Sequence, residues 1–288
     1  MTAVFEMVKY HSRTYPSNVP IRTEEIAAHF DIKEIRRTLN YSLHTEYSFG
    51  KRKFDSKLIN KFSEIVSAKK CGIPQLWKSE LWASEFADFI VALVNGSSAP
   101  EIIEIHPPFD DYTNMKKFVS DYSIFESKIK ERFPNVEIYI ENRCGSYYQG
   151  GKFLISKIND IKDLCQQIEC KHLFLRIAFD VPQIYTAHYA KSKEEYISIL
   201  ESVKELRTYI GCVHLWGKKL GAKGRKIPHY GDLNSYFENK SDKLVFLDSF
   251  VECFNDDIIR KMVLEVNSTD VDLSSILNDL QMSGINFV

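Results

Sequence analysis

The residue types best suited to bind a metal or move a proton recur at the ends of apolar runs. "EIIEIH" closes on His106, "VEIYIE" on Glu141, "LFLRIAFD" on Asp180 and "YIGCVH" on His214, and "KMVLEV" carries Glu265 as its penultimate residue. Imidazoles and carboxylates are the common transition-metal ligands and acid–base groups at neutral pH. One carboxylate at a strand end commonly caps the next helix or pairs with a lysine, and one histidine there is commonly structural. Such ends in series, one strand–helix interval apart, point instead to a shared site. Three carboxylates in one small mouth repel unless a cation neutralises them. Glu141, Asp180, His214 and Glu265 offer oxygen and nitrogen donors that suit Zn²⁺, Mn²⁺, Fe²⁺ or Co²⁺ better than Ca²⁺. Sequence does not choose among these ions. Glu141 and Glu265 are then the candidate catalytic pair for proton transfer.

The elements that must position these groups alternate between strand and helix from about residue 100 onward. The strands fall at 101–108, 136–141, 173–180, 209–214 and 261–266. Between and after them run amphipathic segments: "NMKKFVSDYSIFESKIKERF", 153–168, a helix opening on Ser192 with Glu195 as a capping box, 241–254, and a last helix using Leu273, Ile276, Leu277 and Leu280. In the first hundred residues, 4–11, 38–47 and 72–78 read as strands, with helices over 54–68 and 80–94. Eight strand–helix units and no Gly-rich phosphate loop after the first strand predict an α/β fold, a closed (β/α)8 TIM barrel, with chemistry at the C-terminal strand ends. No linker or low-complexity tract interrupts the chain, so a single domain over 1–288 is expected.

The motifs "IYIENR", "AFDVPQ", "VHLWG" and "VLEVN" resemble the fifth- to eighth-strand motifs of the xylose isomerase-like barrel superfamily. That superfamily holds sugar isomerases and epimerases, inosose-type dehydratases and the endonuclease IV branch of apurinic endonucleases. The resemblance covers roughly residues 100–270 and implies that Glu141, Asp180, His214 and Glu265 bind one catalytic metal. The endonuclease branch uses three zinc ions. His106 matches one of the further ligands, and His229 in "IPHYGDL" stands where another is expected. Three positions depart from that pattern: Gln183 replaces a histidine of the sixth-strand motif, Ile227 replaces an acid, and the third strand, read around "PQLWK", has no histidine. His106, His229 and Gln183 are therefore candidates for a second metal or for substrate.

Two enzyme readings follow. The first is a divalent-metal-dependent sugar or sugar-phosphate isomerase or epimerase, in which Glu141 and Glu265 shuttle a proton α to a carbonyl. The alternative is an endonuclease IV-like phosphodiester hydrolase acting on damaged DNA. A barrel that has kept its shape and lost catalysis is a third class. Local charge bears on the choice: "GKKLGAKGRK" (217–226) supplies Lys218, Lys219, Lys223, Arg225 and Lys226, and "GKRK" (50–53) adds a second basic loop. With Arg143 these are candidate anion-binding groups for a small anionic or sugar substrate, or for nucleic acid. A solvated loop is the plain alternative. Among weaker candidates, His11, Arg13, His44 and Glu46 fall near early strand ends, and His188 follows the sixth strand. Trp77, Trp82 and Trp216 belong either to the pocket wall or to the core.

A net charge of −1 excludes a globally basic nucleic-acid binder, and six cysteines without a CxxC pair read as thiols. The N-terminus lacks the apolar core of a signal peptide and no stretch approaches a membrane span, so a soluble cytoplasmic protein, able to form a homodimer, is expected.

Overall fold

The computed structural model describes every residue except 1, 39, 146, 149, 150, 223 and 238, and the side chains of 147 and 148. Lys223 of the basic loop therefore lies outside the described residues. The chain is a (β/α)8 barrel. Its strands are β1 (Val4–Lys9), β2 (Ile21–Ala28), β3 (Tyr41–Thr45), β4 (Ile102–Ile105), β5 (Glu137–Glu141), β6 (Arg176–Asp180), β7 (Ile210–Leu215) and β8 (Arg260–Leu264). They join in chain order, and β1 pairs back onto β8. A short C-terminal strand, Asn286–Phe287, pairs with β1 on Val4 and Phe5.

The chain divides into two compact units, one of Met1–Glu24 with Ala178–Val288 and one of Glu25–Ile177. In the first, β1 and β8 are parallel with Phe5 opposite Arg260 and Met7 opposite Met262. There β7 and β8 are parallel with His214 opposite Val263. In the second, β3, β4 and β5 are parallel, with His44 opposite Glu104 and Glu104 opposite Tyr139. Every residue of β4 and of β7 is buried, as strands covered on both faces must be.

The helices begin where the sequence places caps. They are α1 (Ser63–Ser67), α2 (Glu80–Val94), α3 (Met115–Arg132), α4 (Ile158–Lys171), α5 (Val181–Ala187), α6 (Lys193–Lys204), α7 (Leu233–Phe237), α8 (Lys240–Phe254) and α9 (Asp270–Met282). Ser79 caps α2, Asn114 caps α3 and Thr269 caps α9, each accepting a backbone N–H of the first turn. Ser192 and Glu195 form the expected capping box of α6. No described helix is long and apolar enough to cross a membrane. Cys165, Cys212 and Cys253 are buried, whereas Cys71 and Cys170 are exposed.

The first hundred residues differ from the sequence reading in three ways. The second barrel strand is Ile21–Ala28, which follows β1 without an intervening helix. Its burial alternates with the polar residues inward: Thr23 and Glu25 are buried. An apolar-inward reading therefore passes over it. The segment 72–78 is not a barrel strand. Only Ile73–Pro74 is extended, in a hairpin with Lys69–Lys70. The hairpin turns on Cys71 and Gly72, with φ of 52° and 81°, the left-handed pair that a two-residue turn needs. The run 54–68 holds one 3₁₀ turn, Ile59–Lys61, and the short α1. The true third strand is thus Tyr41–Thr45, followed by Glu46, and "GKRK" comes after the third strand, not the second. Elsewhere, the helix expected over 153–168 starts at Ile158, because Phe153 pairs with Phe109 in an isolated bridge.

Trp77 and Trp82 belong to the core. Trp77 lies among Trp82, Phe86, Phe118 and Phe125, with ring centroids 5.2–5.5 Å away. Its indole Nε1 donates to the carbonyl of His106 at 2.8 Å, which fixes the backbone just past β4.

Candidate metal centre and cationic hairpin

In the unit Glu25–Ile177, strand ends and strand interiors combine. His106 follows β4 and Glu141 ends β5; both are buried. His106 Nε2 lies 2.8 Å from Glu141 Oε2 and its Nδ1 lies 3.2 Å from the carbonyl oxygen of Glu46. Both partners only accept, so the ring nitrogen that carries the proton donates to its oxygen and the other turns its lone pair outward. Burial drives His106 down to about 3 even though Glu141 opposes it, so the ring is neutral, as a metal-binding imidazole must be. Arg143 Nη1 donates to Glu141 Oε1 at 2.8 Å. The arginine expected to bind an anion is thus docked on the Glu141 carboxylate.

Glu46 holds this arrangement from just past β3. Its Oε1 accepts from Arg52 Nε at 2.9 Å and its Oε2 from the Phe30 N–H at 3.2 Å. The Arg52 guanidinium also stacks 4.3 Å from the Tyr47 ring centroid. His29 lies against the same carboxylate, with Nδ1 3.7 Å from Oε1.

Two residues below the strand ends lie His44 in β3 and Glu104 in β4, facing Glu25 of β2. His44 Nδ1 is 3.5 Å from Glu25 Oε2 and 3.6 Å from Glu104 Oε1. Burial opposes a charge on His44, yet Glu25, Glu104 and Glu141 together carry its pKa up to about 10. Sequence reasoning passed over Glu25 and Glu104, because an acid inside a strand reads as outward-facing. The available signal was the spacing Glu104-x-His106, which puts an acid and the strand-end histidine on one face.

In the unit Met1–Glu24 with Ala178–Val288, His214 in β7 and Glu265 after β8 are both buried, with His214 Nδ1 3.5 Å from Glu265 Oε1. His229 Nδ1 reaches the other oxygen of Glu265 at 3.4 Å. The His229 ring stacks on Trp216 with centroids 4.2 Å apart, and its backbone is left-handed, at φ 61°. Asp180 caps α5: Oδ1 accepts the Gln183 N–H at 2.8 Å, while Oδ2 accepts Gln183 Nε2 at 3.0 Å and Trp216 Nε1 at 2.9 Å. A carboxylate offers about four acceptor positions, so capping and metal ligation are compatible. Gln183 therefore orients Asp180, and Trp216, unlike the other two tryptophans, belongs to the site.

His229 is delivered by a cationic hairpin. Lys218–Leu220 pairs antiparallel with Lys226–Pro228, and no acidic residue occurs from Gly217 to Gly231. Lys218 folds back, with Nζ 3.1 Å from Thr186 Oγ1 and 5.2 Å from the Tyr236 ring centroid. Lys219, Arg225 and Lys226 are exposed, as are Leu220 and Ile227. The base is held tightly: a Cβ on Gly217 would lie 2.4 Å from the Gly231 carbonyl oxygen. Gly217→Ala should cost about 1–3 kcal/mol and displace the hairpin. Urea unfolding would measure the loss, and an unchanged midpoint would show that the two chain segments separate freely. His11 is exposed beside Tyr10, and Arg13 pairs with Asp270 at 3.4 Å, so neither contributes to the groups described above.

The residues fit a divalent ion. One ligand atom each from His44, Glu104, His106 and Glu141 lie within 4.8 Å of one another. Mixed imidazole and carboxylate donors suit zinc-like ions.

No family model matches the sequence, and no curated protein matches it. Similar solved structures include one described as AsfvAP:AG, at 14% identity, covering 86% of this chain and 85% of the other with a TM-score of 0.50. Another is an AP endonuclease, family 2, from Brucella melitensis, at 9% identity, 95% and 98% coverage and a TM-score of 0.48. A third is a xylose isomerase domain protein from Alicyclobacillus acidocaldarius subsp. acidocaldarius, at 10% identity, 97% coverage of each chain and a TM-score of 0.45. Likeness at these identities concerns the fold.

Proposed function

We propose that the protein is a divalent-metal-dependent phosphodiester hydrolase acting on nucleic acid, with Glu141, Asp180, His214 and Glu265 as ligands of the catalytic ion. One observation carries this reading: the hairpin that exposes Lys219, Arg225 and Lys226 also places His229 on Glu265. Its arms are three residues long, roughly 10 Å at 3.3 Å per residue, which is more than one phosphate group needs and suits a polymer of phosphates.

A bound ion supplies Lewis acidity toward the phosphoryl group. The protein's own groups do the rest. Glu265, with an imidazole on each oxygen, accepts a proton from attacking water. His229, half-buried at the foot of the hairpin, passes a proton to the leaving oxygen. Arg143 holds Glu141 in place and presents positive charge to the phosphate.

The isomerase or epimerase reading has one observation in its favour. Gln183 donates to Asp180 where the endonuclease-like pattern has a histidine ligand, which suits a single ion with Glu141 and Glu265 moving a proton α to a carbonyl. Metal-loaded protein should be incubated with labelled duplexes carrying an abasic site, and separately with sugar phosphates in D₂O. Metal-dependent strand cleavage is the expected result. Deuterium incorporation into a sugar phosphate, with every oligonucleotide left intact, would overturn the hydrolase.

The double variant Lys219→Ala/Arg225→Ala separates the two readings further. For a nucleic-acid substrate, binding weakens whatever the base sequence. The slope of log Kd against log salt then falls by about 1 for each phosphate contact removed. A fluorescence titration at several salt concentrations measures this, and an unchanged slope would take the hairpin out of substrate binding.

A further inference from the structure

We infer that the cationic hairpin is a β-ribbon that enters the major groove of double-stranded DNA and sets Leu220 and Ile227 against base edges. The inference rests on the nucleic-acid reading above and deepens it, because it names a duplex held by its groove as well as by its phosphates.

The pairing of the ribbon carries the argument. Lys219 stands opposite Ile227, and Leu220 stands opposite Lys226. Opposite residues share a face and successive pairs alternate, so each face carries one cation and one aliphatic group. Both faces are open to solvent: Lys219, Leu220 and every residue from Gly224 to Pro228 are exposed, Leu220 at 66% and Ile227 at 41%. A ribbon with this pattern presents a cation to each of the two phosphate walls of a groove, and an aliphatic group to the base edges between them. No acid from Gly217 to Gly231 opposes that approach. An anionic membrane would take cations and aliphatic groups from one face, whereas here they are divided evenly between two.

Dimensions select the groove. Two strands about 4.8 Å apart make a ribbon that the major groove of B-form DNA, about 12 Å wide and 8.5 Å deep, admits. The minor groove, about 6 Å wide, is too narrow, and so is the deep major groove of an RNA helix. Arms of three residues reach roughly 10 Å, enough for the depth.

The foot of the ribbon is pinned, which fixes its direction relative to the chemistry. The Gly231 N–H donates to Ser268 Oγ at 2.9 Å, and the His229 carbonyl accepts the Asn267 N–H at 2.7 Å. His229 follows the second arm directly and reaches Glu265, so a duplex seated on the ribbon lies beside that pair.

Fluorescence anisotropy of the full-length protein with a labelled duplex of mixed sequence tests the inference. Leu220→Ser/Ile227→Ser should weaken duplex binding about tenfold or more. The slope of log Kd against log salt should stay unchanged, because no phosphate contact is lost. Guanine N7 lies in the major groove, so methylating it should weaken binding by the wild type, whereas a ligand filling the minor groove should not. Wild-type affinity in the serine variant, or indifference to N7 methylation, would overturn the inference. So would binding of anionic phospholipid vesicles through Leu220 and Ile227 in place of duplex. A duplex bound in this way and never cleaved would keep the ribbon and reject the hydrolase. Cleavage with neither effect would do the reverse.

Discussion

Glu141→Gln should lower metal-dependent cleavage by roughly 10²–10³-fold, the usual scale for losing one charge-stabilising group. Glu141 faces His106 through one oxygen and accepts from Arg143 through the other. Glutamine keeps the size but replaces one anionic oxygen with a donor, so it cannot bind an ion and receive Arg143 at once. Steady-state cleavage of an abasic duplex, with metal content measured on the same samples, checks this. Retained activity at full metal content would show that Glu141 is neither ligand nor base.

Asp256→Ala should cost about 3–5 kcal/mol, because it strands a guanidinium that is fully buried. Arg260 opens β8, and its Nη1 and Nη2 donate to Asp256 Oδ1 and Oδ2 at 2.6 and 2.7 Å. Nη2 also donates to the Arg207 carbonyl at 2.9 Å. Burial opposes the charge on Asp256, but the bonds and charge of Arg260 outweigh it and hold the carboxyl below its ordinary value of 3.8. A depressed folded value contributes stability above the unfolded pKa and loses it as pH falls through the folded one. The gap between wild type and variant is therefore full at neutral pH and closes as the medium is acidified below about 3.8. Denaturant midpoints across pH 2–7 measure it. A gap that widens in acid would reverse the assignment.

Most of the barrel from Ile102 onward is legible in the sequence, for physical reasons. Parallel strands covered on both faces are nearly continuous apolar runs, and the helices between them announce their starts with Ser192 and Thr269. The first hundred residues were harder because β2 hides its register: Thr23 and Glu25 point inward, so its alternation is inverted. A short hairpin around Cys71-Gly72 took its place in the count. The strand-end groups His106, Glu141, Asp180, His214 and Glu265 could be found because polar residues contrast with the runs they close. His44 was named as a candidate near an early strand end, whereas the inner acids Glu25 and Glu104 were passed over, because their contacts with it depend on cross-strand neighbours such as the pairing of β3 with β4. The double role of Asp180, at once helix cap and candidate ligand, likewise needed the positions of Gln183 and Trp216.

The central claim is that a divalent ion sits among the strand-end acids and His214. Diffraction data at the zinc and manganese edges, from crystals grown without chelators and soaked in each metal, test it most directly. The account predicts an anomalous peak within about 2.2 Å of ligand atoms from Glu141, Asp180, His214 and Glu265. No peak at these residues after soaking in either metal would contradict it and leave neither enzyme reading standing.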